Sequence, residues 1–146
     1  MRTRIAVVFF VLVYLTVPLI AADKPVATLS LGNPRAEVLF SFSWGLSNTS
    51  VSGGGGGSTG KVVFNDFHFT KALSQHSVTL MKACATGQHF DRGTIILMDG
   101  KGNAIARVEL TDVMVTSYQV SGGNDVPMEE VSLSYAKVDY FILIGM

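Results

Sequence analysis

The residues that come nearest to a chemical motif lie between Gly53 and Lys61, where five consecutive glycines, Gly53, Gly54, Gly55, Gly56 and Gly57, precede a glycine-lysine pair. Gly55, four intervening residues, Gly60 and Lys61 match the outline of a phosphate-binding P-loop. Val62 stands where that loop requires a Ser or Thr for magnesium, and the chain continues as alternating Val and Phe. A P-loop instead runs into a helix whose first amides hold the phosphate, so the context rules against nucleotide binding. His68, His76, His89 and Cys84 are the candidate zinc ligands, but no pair among them has the short spacing of a structural or hydrolytic site. No G-x-S-x-G elbow presents a nucleophilic serine. The inventory supports no enzyme: catalytic, metal and cofactor sites are all read as none.

The glycine run is held between two segments of strong alternation. Phe40, Phe42 and Trp44 share one face of an expected strand over residues 38–44, and Ser41, Ser43 and Gly45 share the other. The aromatics enter a core while Ser41 and Ser43 look out of it. Residues 46–60 read as a loop too rich in glycine to pack by itself. Residues 61–70 return as a strand with Val62 and Phe64 on one face, and a bulge at Asn65-Asp66 hands the inward positions to Phe67 and Phe69.

Around this pair the pattern is mostly strand. Ala27, Leu29 and Leu31 alternate into a first strand ending at a Gly32-Asn33-Pro34 turn. Ser74 is read as the N-cap of a helix over residues 75–86, stopped by Gly87, with Val78, Leu80, Met81, Cys84 and Ala85 docking it. Residues 94–98 and 104–110 form a hairpin across the Asp99 to Asn103 turn, and Val113 and Val115 follow a slip of parity at Asp112. The last strand points Val131, Leu133 and Tyr135 inward, with Val138 and Tyr140 inward after a further slip near Lys137. The alternation leaves Leu39 and Val63 outside. Many bulged strands and one helix predict a mainly β fold: a small antiparallel β-barrel with one flanking α-helix.

The length of 146 residues fits one domain. Charged residues are only 15% of the chain and the formal charge is zero, which excludes the strong basic field of a nucleic-acid binder. A single cysteine, Cys84, allows no internal disulfide. Arg2 and Arg4 precede an apolar run up to Ile20, followed by Ala21, Ala22 and Asp23, the layout of a secretory signal peptide. The expected organisation is a signal peptide over residues 1–22 and a barrel domain over 23–146, exported to the extracellular space or periplasm, with no stable membrane insertion after cleavage. Removal of the leader takes away two of eleven basic residues against eleven acidic ones, a net charge of −2.

From about Phe40 to Tyr140 the chain resembles the hemolysin-coregulated protein family, Hcp, the tube proteins of type VI secretion systems. The motifs that carry the resemblance are SFSWG at 41–45, the glycine run leading into GKVVFNDFHFTK at 60–71, LMKACATGQHF at 80–90, LTDVMVTSYQVSGG at 110–123 and EEVSLSYAKVDY at 129–140. The resemblance implies a subunit that forms homo-hexameric rings, which stack into a hollow tube. It implies that the 46–60 loop, with Gly53 to Gly57, reaches the neighbouring ring. It also implies that Ser43 faces the lumen and takes part in holding small effector proteins, with Ser41 beside it. The chain is expected to close its barrel with a shortened strand at residues 142–144 or to leave an edge open for a neighbour.

Overall fold

The computed structural model describes residues 24–32, 35–49, 60–123 and 126–143. The expected signal peptide at 1–22 and Gly53 to Gly57 lie outside the described residues. The elements are β1 (Ala27–Leu31), β2 (Glu37–Leu39), β3 (Ser41–Ser43), β4 (Leu46–Thr49), β5 (Lys61–Phe64), β6 (Phe67–Ala72), α1 (Ser77–Thr86), β7 (His89–Met98), β8 (Ala104–Ser121) and β9 (Met128–Ile142). Seven of the strands make one antiparallel sheet in the order β2-β1-β7-β8-β9-β6-β3, while among the described residues β4 and β5 pair only with each other. Among the described residues, the expected mainly β fold with one flanking helix is what forms.

The sheet returns on itself through its two edges. β2 and β3 are consecutive in the chain and separated only by Phe40, yet β2 pairs with β1 and β3 pairs with β6. The expected continuous strand over 38–44 is therefore two short strands that switch partners. Val26 N–H donates to Leu39 O at 2.9 Å on one side of the switch, and Phe40 N–H donates to Thr70 O at 2.9 Å on the other. The switch also changes parity. Leu39, expected outside, is fully buried, while Ser41 and Ser43 are exposed and Phe42 and Trp44 pack on the core from half-buried positions. Ile142, expected to begin a closing strand, is the end of β9 opposite Ala106, and Leu143 N–H continues that pairing to Ile105 O at 2.9 Å.

The parity slips are real and aligned. Leu110 and Val113 are both buried with Thr111 and Asp112 exposed between them, and Asp112 takes a left-handed φ of 53°, which aspartate tolerates better than most residues. Tyr135 and Val138 in β9 flank Ala136 and Lys137 in the same way, and Phe90 and Gly93 flank Asp91 and Arg92 in β7. Thr111 pairs with both Arg92 and Lys137, so the three strands turn together on one transverse line without losing register. That line is a corner of the barrel wall. Beyond it Tyr140, expected inward, sits opposite the buried Val108 and meets the Trp44 ring edge-on at 5.8 Å, yet is 53% exposed.

The core is filled by Leu29, Leu39, Phe67, Phe69, Ile95, Val108, Leu110, Val113, Val115, Val131 and Leu133. Phe67 stacks on Phe42 with ring centroids 5.9 Å apart. Burying each such ring is worth about 1.5–3 kcal/mol. The expected single strand over 61–70 divides at Asn65-Asp66: β5 leaves the barrel with β4 as a two-stranded arm, and β6 stays in the wall. The first residues of the expected 46–60 loop are thus strand. The helix begins two residues later than expected, with His76 at its N-cap, while Gly87 ends it in the left-handed region at φ 67°. Leu80 and Ala83 dock it, but Val78 and Met81, expected to do so, are exposed; the docking stripe is rotated because Ser77 fills the first inward position.

Candidate binding face

On the outer surface of β3, β6, β9 and β8 the strand registers align polar side chains in two transverse rows. Ser43 faces His68, His68 faces Ser132, and Ser132 faces Ser117. Ser41 faces Thr70, Thr70 faces Glu130, and Glu130 faces Gln119. Every second residue along a strand shares a face, so a four-strand register turns four pairs of sequence positions into one polar strip. Within it, Ser41 Oγ and Thr70 Oγ1 share a hydrogen bond of 2.7 Å, and His68 Nδ1 and Ser132 Oγ share another of 2.7 Å. The rows line a concavity of about 220 Å³. A second concavity of about 550 Å³, lined by Trp44, Phe64, Asn65 and Asp66, adjoins it through Ser43 and His68.

Both serines singled out from the sequence therefore lie side by side on this strip. The five glycines lie outside the described residues, but their flanking strands form the β4–β5 arm. The arm presents apolar side chains on both faces: Leu46, Val62, Val63 and Phe64 are each at least 40% exposed. Val63 is outside as expected, but Val62 and Phe64, expected on the inward face before the bulge, are just as exposed, because β5 leaves the barrel wall with β4. One ring contact, Phe64 to Tyr135 at 5.8 Å, and the Asn65 N–H bond to Gly45 O at 2.9 Å tie the arm's base to the barrel.

The candidate metal ligands do not converge. His68 bonds Ser132, His89 Nδ1 lies 2.6 Å from Asp112 Oδ1, and His76 Nε2 lies 3.6 Å from Glu37. Among the described residues no three His, Cys, Asp or Glu side chains gather in metal-binding geometry.

A buried charge cluster under the helix start was not anticipated. Lys71 Nζ donates to Glu129 Oε2 at 2.7 Å, to Ala72 O at 2.9 Å and to Ser74 Oγ at 3.0 Å, and lies 3.3 Å from Glu37 Oε2. The Lys71 and Glu129 side chains are 1% and 0% exposed. Tyr118 Oη donates to the other oxygen of Glu129. Burial alone would raise the Glu129 carboxyl, but hydrogen bonds from Lys71, Ser77 and Tyr118, together with the Lys71 charge, hold it below the usual range. Burial, then the Glu129 hydrogen bond and charge, push the Tyr118 phenol up to about 12. The cluster joins β2, β6, β8, β9 and the turn before α1. Its signal was present: Lys71 continues the inward parity of Phe67 and Phe69, and Glu129 that of Val131 and Leu133.

A family model described as "Type VI secretion system effector, Hcp" matches residues 35–140 of this chain. The chain is similar to Protein hcp1 of Pseudomonas aeruginosa, with 34% identity over 83 residues, covering 53% of this chain and 51% of that protein. It thus spans about half the length of this curated relative. A solved type six secretion system protein superposes with a TM-score of 0.69 at 26% identity, covering 80% of this chain and 83% of the other. The crystal structure of Hcp1 from Salmonella typhimurium gives a TM-score of 0.68 at 20% identity, over 82% of this chain and 87% of that one, a likeness of fold.

Proposed function

This chain belongs to the Hcp family of type VI secretion proteins, and from that membership we propose that it is a structural, non-enzymatic subunit that assembles with copies of itself into hexameric rings stacking into a hollow tube. The observation that carries the reading is the division of the outer wall. One side is a hydrophilic strip running across β3, β6, β9 and β8, suited to a wet lumen. Another element, the β4–β5 arm, shows apolar residues on both faces and pairs with no other strand among the described residues. A two-stranded ribbon is marginally stable alone in water, so an arm of this composition gains by packing on a neighbouring subunit.

In this reading Ser41 and Ser43 face the lumen, where small effector proteins are held, and Gly53 to Gly57 give the arm's tip an adaptable contact with the next ring. The layout of residues 1–22 favours export, so the rings form outside the inner membrane. The test is electron microscopy of the purified protein. Rings with a central hole, alone or stacked, support the reading, and a field of single compact particles overturns it.

A further inference from the structure

We infer that the groove joining the two adjoining concavities is a docking site for an extended basic peptide segment carrying two cationic side chains about four residues apart. The inference rests on the ring reading for the groove's place in a lumen, and on this chain's own charges for its ligand.

The groove has an acidic end at each side and no base to neutralise either. The Glu130 side chain, exposed on β9, makes no hydrogen bond or ion pair among the described residues. Asp66 accepts from Thr116 Oγ1 at 2.7 Å through one oxygen only, and among the described residues no cation meets it. No lysine or arginine lines either concavity among the described residues. His68, whose Nδ1 is engaged with Ser132, is the only other titratable side chain in the lining besides the two carboxylates.

The spacing follows from register. Asp66 immediately precedes β6, and Glu130 sits opposite Thr70 within it, so the carboxylates are offset by four residues along the strand direction. At about 3.3 Å per residue that is roughly 13 Å, the distance between side chains four apart on an extended chain. Between them lies the Ser43 hydroxyl, opposite His68, while the part-exposed rings of Trp44 and Phe64 line the Asp66 end; these suit peptide backbone and the apolar stems of Lys or Arg. An acidic segment would bring like charges against both ends.

The test uses fluorescence anisotropy with three labelled peptides, Arg-Ser-Thr-Ser-Arg, its Glu counterpart and its Gln counterpart, titrated with full-length protein at two salt concentrations. Light scattering on the same samples reports assembly. The expected result is binding of the Arg peptide alone, weakened by salt, and reduced about tenfold by the double substitution Asp66→Asn and Glu130→Gln, both outward-facing. Equal binding of all three peptides, binding of none, or an unchanged affinity in the double variant overturns the inference. If the Arg peptide binds selectively to a protein that scatters as a monomer, the groove stands and the ring reading falls. If rings form without charge preference, the reverse holds.

Discussion

Replacing Lys71 by Met should convert a stabilising cluster into a buried unpaired carboxylate, and the size and pH dependence of the loss can be worked out. Lys71 and Glu129 are essentially inaccessible, so removing either partner leaves a desolvated group, a change that costs about 3–5 kcal/mol. The two single variants are not equivalent. In Glu129→Gln the ammonium keeps Glu37 at 3.3 Å and the oxygens of Ala72 and Ser74, and the amide oxygen can still accept from Tyr118, which places the loss near the lower end. In Lys71→Met the Glu129 carboxylate keeps neutral donors alone, which places it near the upper end. With total stabilities of about 5–15 kcal/mol, either loss is a large fraction, and it lowers the melting temperature by roughly 10–20 °C.

The assay is urea unfolding at one fixed protein concentration, because assembly adds to apparent stability. The double variant Lys71→Met with Glu129→Gln should lose less than the sum of the singles, since no uncompensated charge remains. The sign of the pH dependence should also reverse. In the native protein Glu129 is held below its ordinary value, so its contribution is present above the unfolded-state value and fades as pH falls through the folded one. Without Lys71, burial raises that carboxyl, so the variant should lose stability as pH rises from about 4 to 7. Additive single losses, or a variant with unchanged pH slope, would refute the reasoning.

Gly32 has φ 61° and an added Cβ would stand 2.8 Å from Phe90 Cδ1, so Gly32→Ala should destabilise by about 1–3 kcal/mol in the same unfolding assay. Phe64→Asp on the exposed arm should keep the circular dichroism spectrum of the folded barrel while abolishing rings under the electron microscope; rings that persist would show that the arm makes no contact between subunits. Deleting Gly53 to Gly57 should spare the circular dichroism spectrum and individual rings but prevent stacking; tubes of ordinary length would show that the glycines make no contact between rings. N-terminal sequencing of protein recovered from outside the cell should begin at Asp23, and a retained Met1 would contradict cleavage.

Alternation made most of the wall legible. Ala27 and Leu29, Phe67 and Phe69, and Val131 and Leu133 are buried in the pattern their spacing predicts, because a period of two is a property of the strand itself. The parity changes at Asp112 and Lys137 were legible for the same reason: each inserts two outward residues between inward ones. What alternation cannot contain is which strand pairs with which. Residues 38–44 read as one run, and only the closing of the sheet forces the switch at Phe40 that buries Leu39. The break at Asn65-Asp66 was visible, but whether it bulged one strand or sent two strands to different sheets depended on partners far away in sequence.

The candidate face divides in the same manner. Ser41 and Ser43 could be placed outward from their own strand, whereas Thr70, Glu130 and Gln119 join them only through registers spanning four strands. The helix starts two residues later than expected, and neither Ser74, the expected N-cap, nor Ser77 is an ordinary cap. Both instead serve the Lys71 ammonium: Ser74 Oγ accepts at 3.0 Å, and Ser77 Oγ lies at 3.4 Å. A lysine at an inward strand position was the clue, since a buried cation needs a counter-charge, and the inward Glu129 was the available one.

The claim on which the proposed function depends is self-association into closed rings, and sedimentation equilibrium of the purified protein across a hundredfold concentration range measures it directly. The account predicts a dominant species of about six chain masses with no smaller oligomer accumulating. A single species of one chain mass up to the highest concentration would contradict it.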